Sequence, residues 1–278
     1  MFLYNPSNPL SKIDSLNQLL DIFWKDYITL NPRALLIYEQ FAKLGETLSN
    51  DHLAFRTYDH PKVNLSVMEK IFLKFGYCEM GDYHFVEKKL YAKHYEHPNA
   101  ENPKIFISQI KLNELSTFAR TTSLEAINEI SQAQLSHELL INMGRPWKAK
   151  YEIYEKLKGE SEYAAWLYAF GFRVNHFTIL INSLKTLSNL KAVNDFVKSN
   201  GHTLNSSGGE IKGTPEELLE QSSTIASNFS VPFSEGQFSI PSTYYEFAMR
   251  YSQANGQLYT GFIAKSADKI FESTNKGE

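Results

Sequence analysis

Cysteine is nearly absent. Cys78 is the only one in 278 residues, so no intramolecular disulfide can form and no thiolate zinc site can be built. Glycine and proline are sparse, at 14 and 10 residues, which excludes collagen-like and low-complexity chains. Neither sign of charge is in large excess. The net charge is −3, so the chain lacks the basic field that nucleic-acid binding uses. Long apolar runs are missing too. Stretches such as Ala34 to Tyr38 fall far short of the roughly 18 residues that span a bilayer, so no membrane partner is expected. The opening MFLYNPSNPLSK has no basic region followed by an apolar one and does not read as a signal peptide. Together these absences point to a cytoplasmic globular protein. Aromatic residues are what is plentiful: 19 Phe, 16 Tyr and 3 Trp supply large side chains for a sizeable core.

Apolar periodicity organises the chain. Ile13, Leu16, Leu20, Phe23 and Tyr27 recur at helical spacing. Asn31-Pro32 reads as an N-cap and first helical position, and Ile37, Phe41, Leu44 and Leu48 line the next helix. Asp51 to Tyr58 is short and aromatic-rich, as a strand would be. Met68, Ile71, Phe72 and Phe75 predict a helix closed by Gly76. Strands are expected over Tyr83 to Tyr91 and Lys104 to Ile110. From about 112 to 170 the pattern is helical, notably Leu124 to Leu140 and Tyr151 to Phe170. A strand then covers Phe172 to Ile179, and Leu187, Leu190, Val193 and Val197 form a helix ending at Asn200-Gly201. Glu220 to Asn228, Gln237 to Ile240 and Tyr244 to Tyr251 complete the expected strands.

The order repeats. His52 sits early in one strand behind Asp51, and His176 sits early in another behind Asn175. Each strand leads to an amphipathic helix capped by a glycine, Gly76 or Gly201, at nearly the same separation. This is β-α-β-β-β written twice. The expected fold is α+β in one domain: N-terminal helices (1–50), a first module (51–111), a helical insertion (112–171), a second module (172–263) and a tail (264–278).

Familiar signatures fail. His137-Glu138-Leu139-Leu140-Ile141 lacks the second histidine of H-E-x-x-H. There is no dinucleotide-binding glycine motif, no P-loop and no G-x-S-x-G elbow. Cys78 reads as a packed thiol. His84, His94 and His97 read as exposed loop histidines, His60 as a turn residue, and His202 as lying just past a helix end.

His52 and His176 stand apart, because packing does not require histidines at matched positions of a repeat. Folding one module on the other about a pseudo-twofold axis brings their strands together. Glu246, among Tyr244, Tyr245 and Phe247, offers a carboxylate where an unpartnered charge is expensive. A salt bridge to Arg or Lys is its plain alternative. Two His and one carboxylate bind non-haem Fe(II) with positions left open, and Zn or Ni could use the same ligands. Arg56 lies on the His52 face of the strand, about 13 Å away along it. Its fork could hold a substrate carboxylate, or form an ordinary ion pair. Arg250 bears the same relation to Glu246 and is a second candidate for substrate binding.

These residues carry a resemblance. Asn50 to Thr57, Val174 to Thr178 and Ile240 to Ala248 resemble the three ligand segments of the bacterial 2-oxoadipate dioxygenase/decarboxylase (2-hydroxyglutarate synthase) family. Gly209 to Pro215 and Leu219 to Thr224 are similar to further segments of it, and the likeness runs from about residue 30 to 251. It implies a vicinal-oxygen-chelate, glyoxalase-like curved sheet, with Fe(II) bound by His52, His176 and Glu246 and a substrate carboxylate held by Arg56. The implied reaction takes 2-oxoadipate and O2 to 2-hydroxyglutarate and CO2 in lysine breakdown. The characterised enzymes are longer, and part of their substrate contact comes from a C-terminal region with no counterpart in these residues. A Zn- or Ni-dependent glyoxalase-like isomerase or hydrolase, and a non-catalytic binder of small acids, are the competing readings.

Overall fold

In the computed structural model, residues 13–263 are described, so the expected tail at 264–278 lies outside the described residues. Helices α1 (Leu16–Leu30) and α2 (Pro32–Lys43) come first. Strand β1 (Asn50–Tyr58), helices α3 (Leu65–Met68) and α4 (Lys70–Lys74), and strands β2 (Cys78–Phe85), β3 (Leu90–Glu96) and β4 (Lys104–Ile110) make the first module. Helices α5 (Thr117–Asn128), α6 (Gln132–Leu135), α7 (Tyr151–Glu160) and α8 (Glu162–Phe170) follow. The second module holds β5 (Val174–Leu180), α9 (Leu190–Ser199), β6 (Lys212–Thr214), β7 (Leu219–Ser223), β8 (Asn228–Phe233), β9 (Gly236–Pro241) and β10 (Tyr244–Arg250).

One curled eight-stranded sheet runs β2-β3-β4-β1-β5-β10-β7-β6, so the α+β expectation holds. The order is a palindrome of the two modules. β1 pairs with β4 in parallel, β5 pairs with β10 in parallel, and β1 and β5 meet antiparallel at the centre. There His52 faces Thr178, Leu53 faces Phe177 and Ala54 faces His176. The two histidines are therefore related by a local twofold through the Leu53–Phe177 pair.

Alternation along the strands sends one set of side chains to each face. On the outer face Phe55 packs edge-on against Phe23 of α1, with ring centroids 5.1 Å apart, and Phe177 lies 5.1 Å from Trp24. Phe247 meets Phe41 of α2. The Tyr27 hydroxyl donates to the Tyr244 carbonyl at 2.6 Å, fixing α1 to the start of β10. On the inner face lies α8, every residue of which except Glu162 is buried. Trp166 Nε1 donates to the Ser242 carbonyl at 2.6 Å, and the Tyr163 hydroxyl donates to the Ser108 carbonyl at 2.7 Å. α8 ends at Gly171 (φ 69°), where a Cβ would lie 2.2 Å from the Gly144 carbonyl oxygen. Only glycine permits that approach.

Several expectations are corrected. The region read as one strand from Tyr83 to Tyr91 is the β2–β3 hairpin, turning at 86–89. The Met68–Phe75 helix is broken at Glu69 into two short ones. α2 stops at Lys43 rather than reaching Leu48, because Gly45 takes a positive φ. The expected strand Glu220–Asn228 ends at Ser223, and β8 opens a separate hairpin with β9. That hairpin packs on the insertion through Tyr151 stacked on Phe238 at 3.8 Å. Cys78 is exposed. His94 is buried in β3, not in a loop.

Candidate metal centre

β1 and β5 each deliver one imidazole to the inner face, and β10 delivers Glu246 beside Thr178. The three side chains are at most 6% exposed and one potential ligand atom from each lies within 4.8 Å of the others. His52 Nε2 and His176 Nε2 are 3.4 Å apart. Glu246 Oε1 is 3.6 Å from His52 Nε2, and Oε2 is 3.4 Å from His176 Nε2.

The neighbouring residues orient both rings. His52 Nδ1 lies 2.8 Å from Asp51 Oδ2, and His176 Nδ1 lies 3.0 Å from Asn175 Oδ1. Each contact is satisfied by an Nδ1–H donor, which leaves the Nε2 lone pair facing the centre. The Asp51 contact joins adjacent strand residues, whose side chains would ordinarily diverge. A register shift between Asn50 and His52 re-aims them, as bulges do. Asp51 is itself gripped by Arg250, whose Nε and Nη2 donate at 2.6 and 2.8 Å. Arg250 Nη1 donates to the Tyr259 and Gly261 carbonyls. Arg250 thus orients the partner of His52, and it is not among the residues that line the cavity around the cluster.

Burial dominates the electrostatics of the centre. Burial lowers the pKa of His52, with Asp51 pulling the other way. Burial lowers that of His176 far more, helped by the charges of His52 and Arg56. Both shifts favour the neutral imidazole. Burial pushes the Glu246 carboxyl up to about 8, against a hydrogen bond from Gln221. Glu246 Oε2 accepts no hydrogen bond among the described residues. Two lone pairs and a carboxylate oxygen aimed at one another are the arrangement a divalent ion resolves. Metal–nitrogen bonds of about 2.0–2.1 Å fit Nε2 atoms at this separation. The residues present fit a metal with two N and one O ligand and further positions open.

The cavity around this centre is lined by His52, Arg56, Phe106, His176, Glu246 and Phe262, among others. Arg56 is 3% exposed, with its guanidinium 4.8 Å above the Tyr163 ring and 5.2 Å from that of Trp166. Burial lowers its pKa, while the Tyr244 and Tyr163 hydroxyls and Glu162 oppose the shift. Sequence reasoning missed Asp51, Asn175, Gln221, Tyr163, Trp166 and Phe262. The pairing of Asp51 with Asn175 in the repeat was the available signal for the first two. The rest converge from distant elements.

Fold and site define a buried His-His-Glu cluster, able to hold a metal ion, between two copies of a repeated strand-and-helix module. The model of the 2-oxoadipate dioxygenase/decarboxylase family matches residues 11–144 and 144–256, and the chain belongs to that family. It is 34% identical to the 2-oxoadipate dioxygenase/decarboxylase of Arabidopsis thaliana, over 89% of this chain and 74% of the relative. The crystal structure of rice hydroxyglutarate synthase with 2-oxoadipate superimposes with a TM-score of 0.86 at 32% identity, covering 92% of this chain and 90% of that one. A Shewanella frigidimarina protein described as a candidate hydrolase has the same TM-score at 47% identity, covering 89% of this chain and 97% of that one. A glyoxalase-superfamily structure from Ralstonia eutropha (TM-score 0.73, 17% identity, 88% and 84% covered) shares the fold.

Proposed function

We propose that the chain is an Fe(II)-dependent dioxygenase/decarboxylase acting on a 2-oxo dicarboxylic acid, converting 2-oxoadipate and O2 to 2-hydroxyglutarate and CO2. The observation that carries this is the convergence of His52, His176 and Glu246 in the cavity that Arg56 also lines. His52 and His176 hold the metal through Nε2 and Glu246 through its carboxylate. Bound there, Fe(II) supplies the redox chemistry that O2 requires and that no side chain provides.

The chain's own residues do the rest. Asp51 and Asn175 keep each imidazole in the ligating tautomer. Gln221 holds Glu246 by donating from Nε2 to Oε1. Arg56 binds the carboxylate remote from the metal through its planar fork, selecting a diacid over pyruvate. Strand geometry sets the span: about 13 Å between the His52 and Arg56 Cα positions, part of it filled by the two side chains. Tyr163 and Trp166 hold the guanidinium from behind. The rice relative is covered over 90% of its length, which supports 2-oxoadipate as substrate despite the length of other characterised members. A cytoplasmic location and a place in lysine breakdown go with this reading. Among the described residues no helix is long and apolar enough to cross a membrane.

The test is anaerobic Fe(II) loading, followed by O2 uptake and CO2 release across a panel of 2-oxo acids. We expect O2, CO2 and hydroxy acid in equal amounts with a diacid. His52→Ala and Glu246→Ala should abolish metal binding, and full iron occupancy in either refutes the ligand set. The candidate-hydrolase description of the Shewanella relative supplies the second reading. Turnover without oxygen, with Zn in the same ligands, would select it.

A further inference from the structure

Phe262 lies beyond β10 and beyond residue 256, where the family match ends, yet its side chain stands in the metal cavity. It is 6% exposed. Its ring meets His52 edge-on at 4.8 Å, Phe106 at 4.9 Å and His94 at 5.4 Å. The segment that carries it is fastened on both sides. Tyr259 N–H donates to the Tyr251 carbonyl, Arg250 Nη1 donates to the Tyr259 and Gly261 carbonyls, and Phe262 N–H donates to the Tyr83 hydroxyl at 3.1 Å. The Arg250 guanidinium also lies 5.2 Å from the Phe262 ring.

The location has a meaning in the repeat. Glu246 stands beside Thr178, and Phe106 stands beside Ala54, the residue related to Thr178 by the local twofold. Phe106 therefore occupies the position where the symmetry would put a second carboxylate, and Phe262 packs on it. The side of the centre opposite Glu246 is walled by two phenyl rings.

We propose that Phe262 is a specificity-determining residue that seals the open side of the metal centre against water and sets the length of acid accommodated there. This rests on the reading of the site as an oxygen-using metal centre, so one measurement is made without turnover. Mn(II) is loaded into the full chain and water-proton relaxation is recorded. Phe262→Ala should admit water and raise the relaxation enhancement, while Phe262→Leu should stay near wild type. With Fe(II), Phe262→Ala should consume more O2 than it forms hydroxy acid, and should shift preference toward longer 2-oxo diacids. Its kcat/KM for the best wild-type diacid should fall about 10- to 100-fold, as expected for a lost apolar contact. Unchanged relaxation, coupling and chain-length preference in Phe262→Ala would overturn the assignment. Should Phe262→Ala not fold, Phe262→Val takes its place, and wild-type relaxation, coupling and chain-length preference in Phe262→Val overturn the assignment. If the wild type takes up no oxygen with any acid, the functional reading fails, while the relaxation series still judges Phe262.

Discussion

Asp51→Asn isolates the support beneath His52, one of the proposed metal ligands. The carboxylate is buried, accepts from His52 Nδ1–H, and takes two hydrogen bonds from the buried Arg250 guanidinium. The variant keeps the shape and removes the charge. Breaking a buried ion pair by removing one partner costs about 3–5 kcal/mol, because the other charge stays buried. Loss of an outer partner of a metal-binding histidine lowers metal affinity about 10- to 100-fold. Both losses should appear together, in urea unfolding and in calorimetric metal titration. Acid should reveal the same pair. Burial raises the Asp51 pKa, but Arg250 and His52 outweigh it and hold the carboxyl well below its ordinary value of 3.8. A depressed carboxyl contributes stability above its unfolded pKa and loses it as pH falls toward the folded one. The wild type should therefore lose this contribution only below about pH 4, and Asp51→Asn should lack that part of its acid profile. A double variant with Arg250→Met, which removes both charges, should recover much of the stability but not the metal affinity. Parent-like stability and affinity in Asp51→Asn would refute the reasoning.

Three further outcomes are expected. Arg56→Lys keeps the charge but loses the two-pronged fork, so kcat/KM for a diacid should fall by the equivalent of about 2–5 kcal/mol with metal still bound; equal turnover by wild type and Arg56→Ala would move the carboxylate clamp elsewhere. In metal-free protein the Glu246 carboxyl, raised by burial from 4.5 to about 8, holds a proton that the unfolded chain releases, so stability should fall as pH rises between those values and then level. Glu246→Gln should lose that slope in thermal unfolding, and parallel profiles for the two proteins would count against the raised carboxyl. Tyr27→Phe removes the hydroxyl that donates to Tyr244 and accepts from Asn31, and should cost about 1–2 kcal/mol in denaturant unfolding while leaving metal binding intact.

The two histidines that the centre brings together were legible in the sequence because they are local and repeated. A histidine behind Asp51 and another behind Asn175, each opening a strand, can be seen without knowing what lies across the sheet. The hairpin at 86–89 could not. Val86-Glu87-Lys88-Lys89 contains none of the Gly, Asn or Asp that mark two-residue turns, and Lys89 adopts φ 57° regardless. The break at Glu69 was hidden because its flanking apolar residues stay in helical phase. β8 carries Pro232 and an irregular burial pattern, so its alternation was not visible. Arg250 was placed on its strand as a second substrate-binding candidate, without its ion pair. Asp51, its partner, is 199 residues away in sequence, and no periodicity reports such a pairing.

The same distinction explains how a near-symmetric scaffold yields an asymmetric site. The repeat supplies two equivalent imidazoles, and equivalence is what places their Nε2 atoms within 3.4 Å of each other. A strict repeat would also supply a second carboxylate at the position of Phe106. If a metal is held at the centre, two imidazoles and one carboxylate would leave it positions for a small acid and O2. Phe106 in place of a second carboxylate provides the difference, and it does so with a group that repels water instead of competing for the metal. The departure extends to the outer residues. Asp51 brings a charge tied to Arg250, whereas its counterpart Asn175 is neutral. A second aspartate would put a further negative charge beneath the centre. The chemistry proposed here depends on where the two modules differ, and their likeness is what builds the frame in which those differences face one another.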